Sequence, residues 1–194
     1  HAVPSLDLRQ LMRSRELWLL GLVQMASFGL VIVVGTWITT LLKSGYPVSL
    51  QRAGLLGSAV LLLGIVSRPL GGWLAHRMRI KVLLRAALLL NAVGCLLLAG
   101  APPFAGAMAA VVLLGVGCGL PYAGVFNRAA ALWPGRAGAA TGFVNMVGIL
   151  MILGGAPAVG RLVDWTGHFQ WSFVTLGVAS AAAAAAVSAL SEPS

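Results

Sequence analysis

Ser67-Arg68-Pro69-Leu70-Gly71-Gly72-Trp73-Leu74-Ala75-His76-Arg77-Met78-Arg79-Ile80-Lys81 carries a charge, a helix end and a basic turn within fifteen residues. It opens inside an apolar run that carries a lone arginine. It closes on a short basic turn, after which a new apolar run begins at Val82. A charge inside a run of membrane length is costly in hydrocarbon, so it faces protein or water and is a functional-site candidate by default. The turn after it is too short to be a domain and too basic to be translocated, so it sets how its neighbours sit in a bilayer.

Outward from this stretch, the composition is that of an integral membrane protein. Hydrophobic residues make up 59% of the 194 residues, charged residues 9%, and mean hydropathy is +0.96. A soluble domain carries about 25% charged residues. The apolar runs are long enough for helices rather than barrel strands. They fall at about 16–42, 51–75, 82–99, 104–132, 136–162 and 171–190, which predicts an all-α protein of six transmembrane helices. Ala101-Pro102-Pro103 and Pro134-Gly135 break the chain between runs. Residues 1–15 form a polar, basic leader, and 16–194 the transmembrane bundle. The net charge of +9 raises the question of nucleic acid. The positive residues lie mainly in the connections, so the expected partner is the lipid bilayer and not nucleic acid. Cys95 and Cys118 sit in different runs and read as unpaired small core residues. The chain begins on His1 rather than Met, which points to a processed product or a piece of a longer protein.

Orientation follows from lysine and arginine alone. With the N-terminus in the cytoplasm, the inner side or inner helix ends hold ten of them: Arg9, Arg13, Arg15, Arg68, Arg77, Arg79, Lys81, Arg85, Arg128 and Arg136. The outer side holds three: Lys43, Arg52 and Arg161. The expectation is a multi-pass protein of the cell membrane with both termini cytoplasmic.

Gly72-Trp73-Leu74-Ala75-His76-Arg77-Met78-Arg79-Ile80-Lys81 resembles the cytoplasmic signature of the major facilitator superfamily, Gly-x-Leu-Ala-Asp-Arg-x-Gly-Arg-Arg/Lys. In that family the signature joins the second and third helices of each six-helix half, and here it joins the second and third runs. Two positions depart: His76 stands for the acid and Arg79 for the glycine. The acid serves a charge network that holds the transporter in one state, and its loss is commoner in C-terminal halves. The basic leader also resembles the end of the long loop before the seventh helix. The resemblance therefore implies the C-terminal half of a facilitator, its partner being an N-terminal half or a second copy. Its halves are built from inverted three-helix repeats, so the second run should echo the fifth. Pro69-x-x-Gly72-x-Leu74-x-His76 does line up with Pro157-x-x-Gly160-x-Leu162-x-Asp164.

Arg68 precedes His76 by eight residues and sits roughly 12 Å into the membrane at 1.5 Å per residue. That is near the middle of a hydrocarbon core about 30 Å thick. One reading is an anion ligand, a planar fork donating to a carboxylate, nitrate or phosphate-like group. The other is an arginine that snorkels to the interface or pairs with a carbonyl. Ser-Arg-Pro-Leu-Gly-Gly-Trp also resembles the corresponding helix of nitrate/nitrite porters, where the arginine contacts substrate. The glycine-dense signature of their eleventh helix is not reproduced in Gly142-Phe143-Val144-Asn145-Met146-Val147-Gly148. The acids Asp7, Glu16, Asp164 and Glu192 all fall at ends or tails, so no mid-membrane proton site is visible.

Gln24, Tyr122 and Asn145 are the further candidates for the solute site, with close packing as the alternative for Asn145. Asn91 reads as packing. Gly72, His76, Arg77 and Lys81 form the gating turn, and Gly115, Gly117, Gly119 and Pro121 a section able to bend during alternating access. No metal motif or intramembrane Ser–His pair appears, and the histidines lie outside the runs, so neither enzyme nor cofactor is expected. The expected function is secondary or facilitative transport of a small solute, an anion by preference. A self-assembling half-length carrier and a non-transporting scaffold stand as alternatives.

Overall fold

In the computed structural model, the residues described are 8–191; residues 1–7 of the leader, and the acids Asp7 and Glu192, lie outside them. All regular structure among the described residues is helical. A short helix α1 (Leu8–Arg13) precedes six helices of membrane-crossing length and apolarity. These are α2 (Arg15–Gly45), α3 (Leu50–Ala75), α4 (Ile80–Ala99), α5 (Phe104–Leu132), α6 (Ala137–Thr166) and α7 (Gln170–Ala186, continued by a 3-10 turn). Hydrocarbon offers no hydrogen bonds, so each span closes its backbone ladder internally. Local signals set the starts. Ser14 caps α2 by accepting from the Leu17 amide at 3.4 Å, and Ser49 caps α3 by accepting from the Arg52 amide at 3.3 Å.

One helix end and two helix interiors depart from plain uninterrupted spans, each for a local reason. The α6 helix runs on through Asp164 and Trp165 to Thr166, where Gly167 takes the left-handed conformation that ends helices. The ladder of α5 is interrupted at Leu120, because Pro121 has no amide hydrogen to donate. The third departure is inside α2. Residues Met25–Gly29 form a π turn, in which the Leu30 amide reaches back five residues to the Met25 carbonyl. Such turns are rare and gather at functional sites.

Two packed clusters run through the bundle, one around Leu30, Val34, Ile38, Leu114 and Phe173, the other around Leu17, Leu20, Leu84, Leu88 and Val144. The π turn lies between them. Burial is uneven: within the 18-residue apolar stretch of each span, 67% is buried in α2, against 28% in α3 and in α6. The outward face of these two carries Leu62, Ile65, Val66, Leu70, Met146, Leu150 and Leu153, all exposed. On the other side, α3 and α5 meet backbone to backbone. A Cβ at Gly71 would strike the Leu120 carbonyl, and one at Gly119 would strike the Ser67 hydroxyl and the Gly64 carbonyl. That contact sets the spacing of the two helices that carry Arg68 and Tyr122.

Candidate functional site

The site forms where α2, α3 and α5 converge. Arg68 lies seven residues before the end of α3, so about 11 Å of helix separates it from the basic turn. Its neighbour Ser67 turns into the α3–α5 contact and donates to the carbonyls of Gly64 at 3.3 Å and Gly115 at 3.4 Å. With Ser67 held inward, Arg68 projects one position around the helix. Its guanidinium lies over the Tyr122 ring, 4.1 Å from the centroid, and Tyr122 in turn packs on Phe126 at 4.8 Å. A cation over an aromatic face is attracted by the ring quadrupole, by about 2 kcal/mol when desolvated.

Arg68 and Tyr122 border a cavity of about 190 Å³. Phe28, Val31 and Ile32 of α2, Leu61, Gly64 and Ile65 of α3, and Cys118 of α5 complete its wall. Among the described residues Arg68 has no carboxylate partner; the ion pair of Arg128 with Glu16, at 3.2 Å, lies at the ends of α5 and α2. The cavity thus presents one planar cation in an otherwise apolar and aromatic wall. Two larger cavities, of about 430 and 390 Å³, have no arginine, lysine or carboxylate in their walls.

The other candidates are placed differently. Gln24 is fully enclosed, packed against Gly148, and does not border the Arg68 cavity. Neither its Nε2 nor its Oε1 has a hydrogen-bond partner. A buried amide without partners is costly, and this one immediately precedes the π turn. Asn145 is half-buried on α6 and is likewise absent from the cavity wall. The structure therefore brings together Arg68 and Tyr122, and leaves Gln24 and Asn145 apart from them. Of the turn residues, His76 and Arg77 are exposed, and the Arg77 guanidinium stacks on Trp73 at 4.3 Å. Gly72 faces Ala123 of α5, two residues past Pro121.

Sequence reasoning missed Phe28 and Cys118. Phe28 sits in the π turn, whose extra residue rotates the helix face away from regular spacing. Cys118 reads as core in any apolar run. An aromatic residue four positions from a polar Gln24 was the available signal.

The family model for the Major Facilitator Superfamily matches residues 4–194. The chain belongs to this superfamily. As a facilitator, it is 25% identical over 192 residues to a probable nitrate/nitrite antiporter, NarK1, of Thermus thermophilus; the match covers 89% of this chain and 43% of that protein. It is 30% identical over 131 residues to monocarboxylate transporter 2 of Meriones unguiculatus, across 65% of this chain and 27% of that one. The crystal structure of the E. coli fucose:proton symporter FucP superposes with a TM-score of 0.74 at 20% identity, covering 96% of the facilitator chain and 45% of FucP. That likeness confirms the six-helix arrangement as a facilitator fold. The chain spans less than half the length of the relatives it matches.

Proposed function

We propose that this facilitator chain is the C-terminal half of a transporter for a small monoanion, which it binds through Arg68 near the membrane midplane. The carrying observation is the Arg68 guanidinium: it borders a cavity, stacks on Tyr122 and has no carboxylate partner among the described residues. A guanidinium held this way keeps its N–H edge available for a bidentate contact with a carboxylate or nitrate. The apolar wall excludes water and strengthens that contact. The names of two relatives, a nitrate/nitrite antiporter and a monocarboxylate transporter, favour the same solute class.

The uncovered apolar face of α3 and α6 is where an N-terminal half would pack, with the solute between the halves. Both termini face the cytoplasm in this reading, from the excess of arginine and lysine on that side. Rocking of the halves alternates access. Gly72, His76, Arg77 and Lys81 form the turn that moves with α3, and Pro121 marks the interruption across which α5 adjusts. Gln24 and Asn145 join the solute site in another state of the cycle. The chain acts on its solute by binding and release, without covalent chemistry.

Tracer uptake into proteoliposomes tests this, with nitrate, lactate, pyruvate and phosphate as probes. Arg68→Ala should raise the KM for the transported anion about tenfold or more, the effect of losing a charge-assisted pair worth about 1.5–3 kcal/mol. Unchanged kinetics in Arg68→Ala would refute the anion site. Saturable uptake by the chain alone would favour two copies forming the carrier.

A further inference from the structure

Asn91 belongs to α4, which contributes no residue to the cavity wall. Yet it touches two elements that do. Its Nδ2 donates to the Ala26 carbonyl at 2.9 Å, and its Oδ1 accepts from Cys118 Sγ at 3.4 Å. Ala26 lies in the π turn of α2, as does Phe28, which walls the cavity. Cys118 walls the cavity from α5. Asn91 is fully buried, and a Cβ on Gly117 would strike its Oδ1, so α5 lies flush against the amide.

The π turn explains why the amide is needed. Widening a helix by one residue draws carbonyls out of the regular ladder, where inserted polar groups take them. Two side chains serve this turn. Asn91 takes the Ala26 carbonyl, and the Ser27 hydroxyl donates to the Val23 carbonyl at 2.7 Å. Restoring α-helical pairing would rotate one part of α2 by about 100° relative to the other and carry Phe28 off the cavity.

We propose that Asn91 is a positioning residue for the solute site: it holds the π turn of α2 and the Cys118 segment of α5 in the register that puts Phe28 and Cys118 into the Arg68 cavity. The role rests on the proposed anion site only for its transport readout. Its structural readout is independent of solute.

The test uses the full-length transporter in liposomes. In a Cys95→Ala, Cys118→Ser background, which retains a hydroxyl donor for Asn91, Phe28→Cys reports the register through its labelling rate by a water-soluble methanethiosulfonate. Adding Asn91→Leu should slow that rate about fivefold, the ratio equivalent to one buried hydrogen bond. In the otherwise native chain, Asn91→Leu should raise the KM for tracer nitrate or lactate, whichever is transported, about tenfold, with Vmax per folded molecule little changed. Cys118→Ala, which removes the bond to Oδ1 together with a wall atom, should move KM in the same direction by less, whereas Cys118→Ser, which keeps a donor at that place, should leave KM nearer the native value; the pair serves if Asn91→Leu does not fold. Unchanged labelling and KM would overturn the role, as would a fall in Vmax alone. Slowed labelling together with transport indifferent to Arg68→Ala would uphold Asn91 and strike the anion site instead.

Discussion

Replacing Gly71 by alanine probes the contact on which the site's geometry rests. A Cβ there would meet Leu120 backbone only: first the carbonyl oxygen, then the carbonyl carbon and Cα at 2.8 Å. None of these atoms can turn aside as a side chain would. Ordinary contact begins at 3.4 Å, so clearing the carbonyl carbon and Cα alone takes about 0.6 Å, and the closer carbonyl oxygen makes α3 and α5 part by more than that at this level. Overpacking of this kind costs about 1–3 kcal/mol. The better helix propensity of alanine offsets about 0.5–1 kcal/mol of that. A mid-range balance of these terms, a net loss of about 1–2 kcal/mol, corresponds to a fall in Tm of roughly 2–8 °C for a chain of this size. Gly54→Ala is the matched control, because a Cβ there meets nothing within 4 Å; its Tm should hold or rise slightly. The assay is thermal unfolding of detergent-purified protein, followed by tryptophan fluorescence. Arg68 lies one turn before Gly71, and Tyr122 two residues past Leu120, so the same displacement separates the stacked pair and weakens anion binding. A Gly71→Ala protein melting within about 1 °C of Gly54→Ala would mean that the Gly71–Leu120 contact does not set the spacing of α3 and α5.

Further outcomes follow from other contacts. Arg128 bonds to Glu16 at 3.2 Å and to the Ser191 carbonyl at 3.2 Å, and Glu16 also accepts from the Ser191 amide at 2.9 Å, so one knot ties α2, α5 and the end of the α7 segment. Glu16→Gln should lower Tm through a loss of about 1–2 kcal/mol at this partly exposed site, and the reversed pair Glu16→Arg/Arg128→Glu should recover part of it. Gln24→Leu removes two unpartnered buried polar atoms, so the protein should gain up to about 1–3 kcal/mol of stability from relieved desolvation, read as a higher Tm. A simultaneous loss of anion affinity would show that Gln24 binds solute in another state. Tyr46 lies outside the spans and donates to the Pro102 carbonyl at 2.6 Å; burial raises its pKa above the ordinary tyrosine value. A raised folded-state value means its contribution is full below the unfolded pKa and is lost as pH rises through the folded one. Thermal stability should therefore fall more steeply above about pH 10 in the native protein than in Tyr46→Phe.

The spans were legible because their cause is local. In lipid a segment must satisfy its own backbone, so an apolar run bounded by proline, glycine and basic residues is already a helix. The Ser67–Lys81 stretch therefore marked both an arginine inside a span and the turn after it, and the repeat of Pro69 and Gly72 at Pro157 and Gly160 pointed to the symmetry of the bundle. Helix ends were less legible. Asp164 and Trp165 looked like a boundary, yet the helix continues until Gly167 supplies a left-handed residue.

The candidate site was read only in part. Arg68 and Tyr122 each stand out as polar residues in apolar runs, but their stacking is a contact across 54 residues that neither local pattern contains. Gln24 looked the same as they did in sequence, a polar residue in an apolar run; its enclosure against Gly148 depends on how α6 crosses α2. Asn91 read as packing. Its pairing with a π turn and a cysteine follows from three helices meeting, and regular helical spacing gives no sign of the turn.

Six helices of membrane-crossing length and the resemblance to half of a facilitator are both legible in the sequence. Those properties depend on each residue's transfer between water and hydrocarbon and on local backbone pairing. The tertiary structure alone decided which polar groups face a cavity, which are enclosed, and which hold the wall in place. The reason is geometric: a helix presents every side chain to some direction, and only its packing against neighbours determines whether that direction holds lipid, backbone or space for a solute.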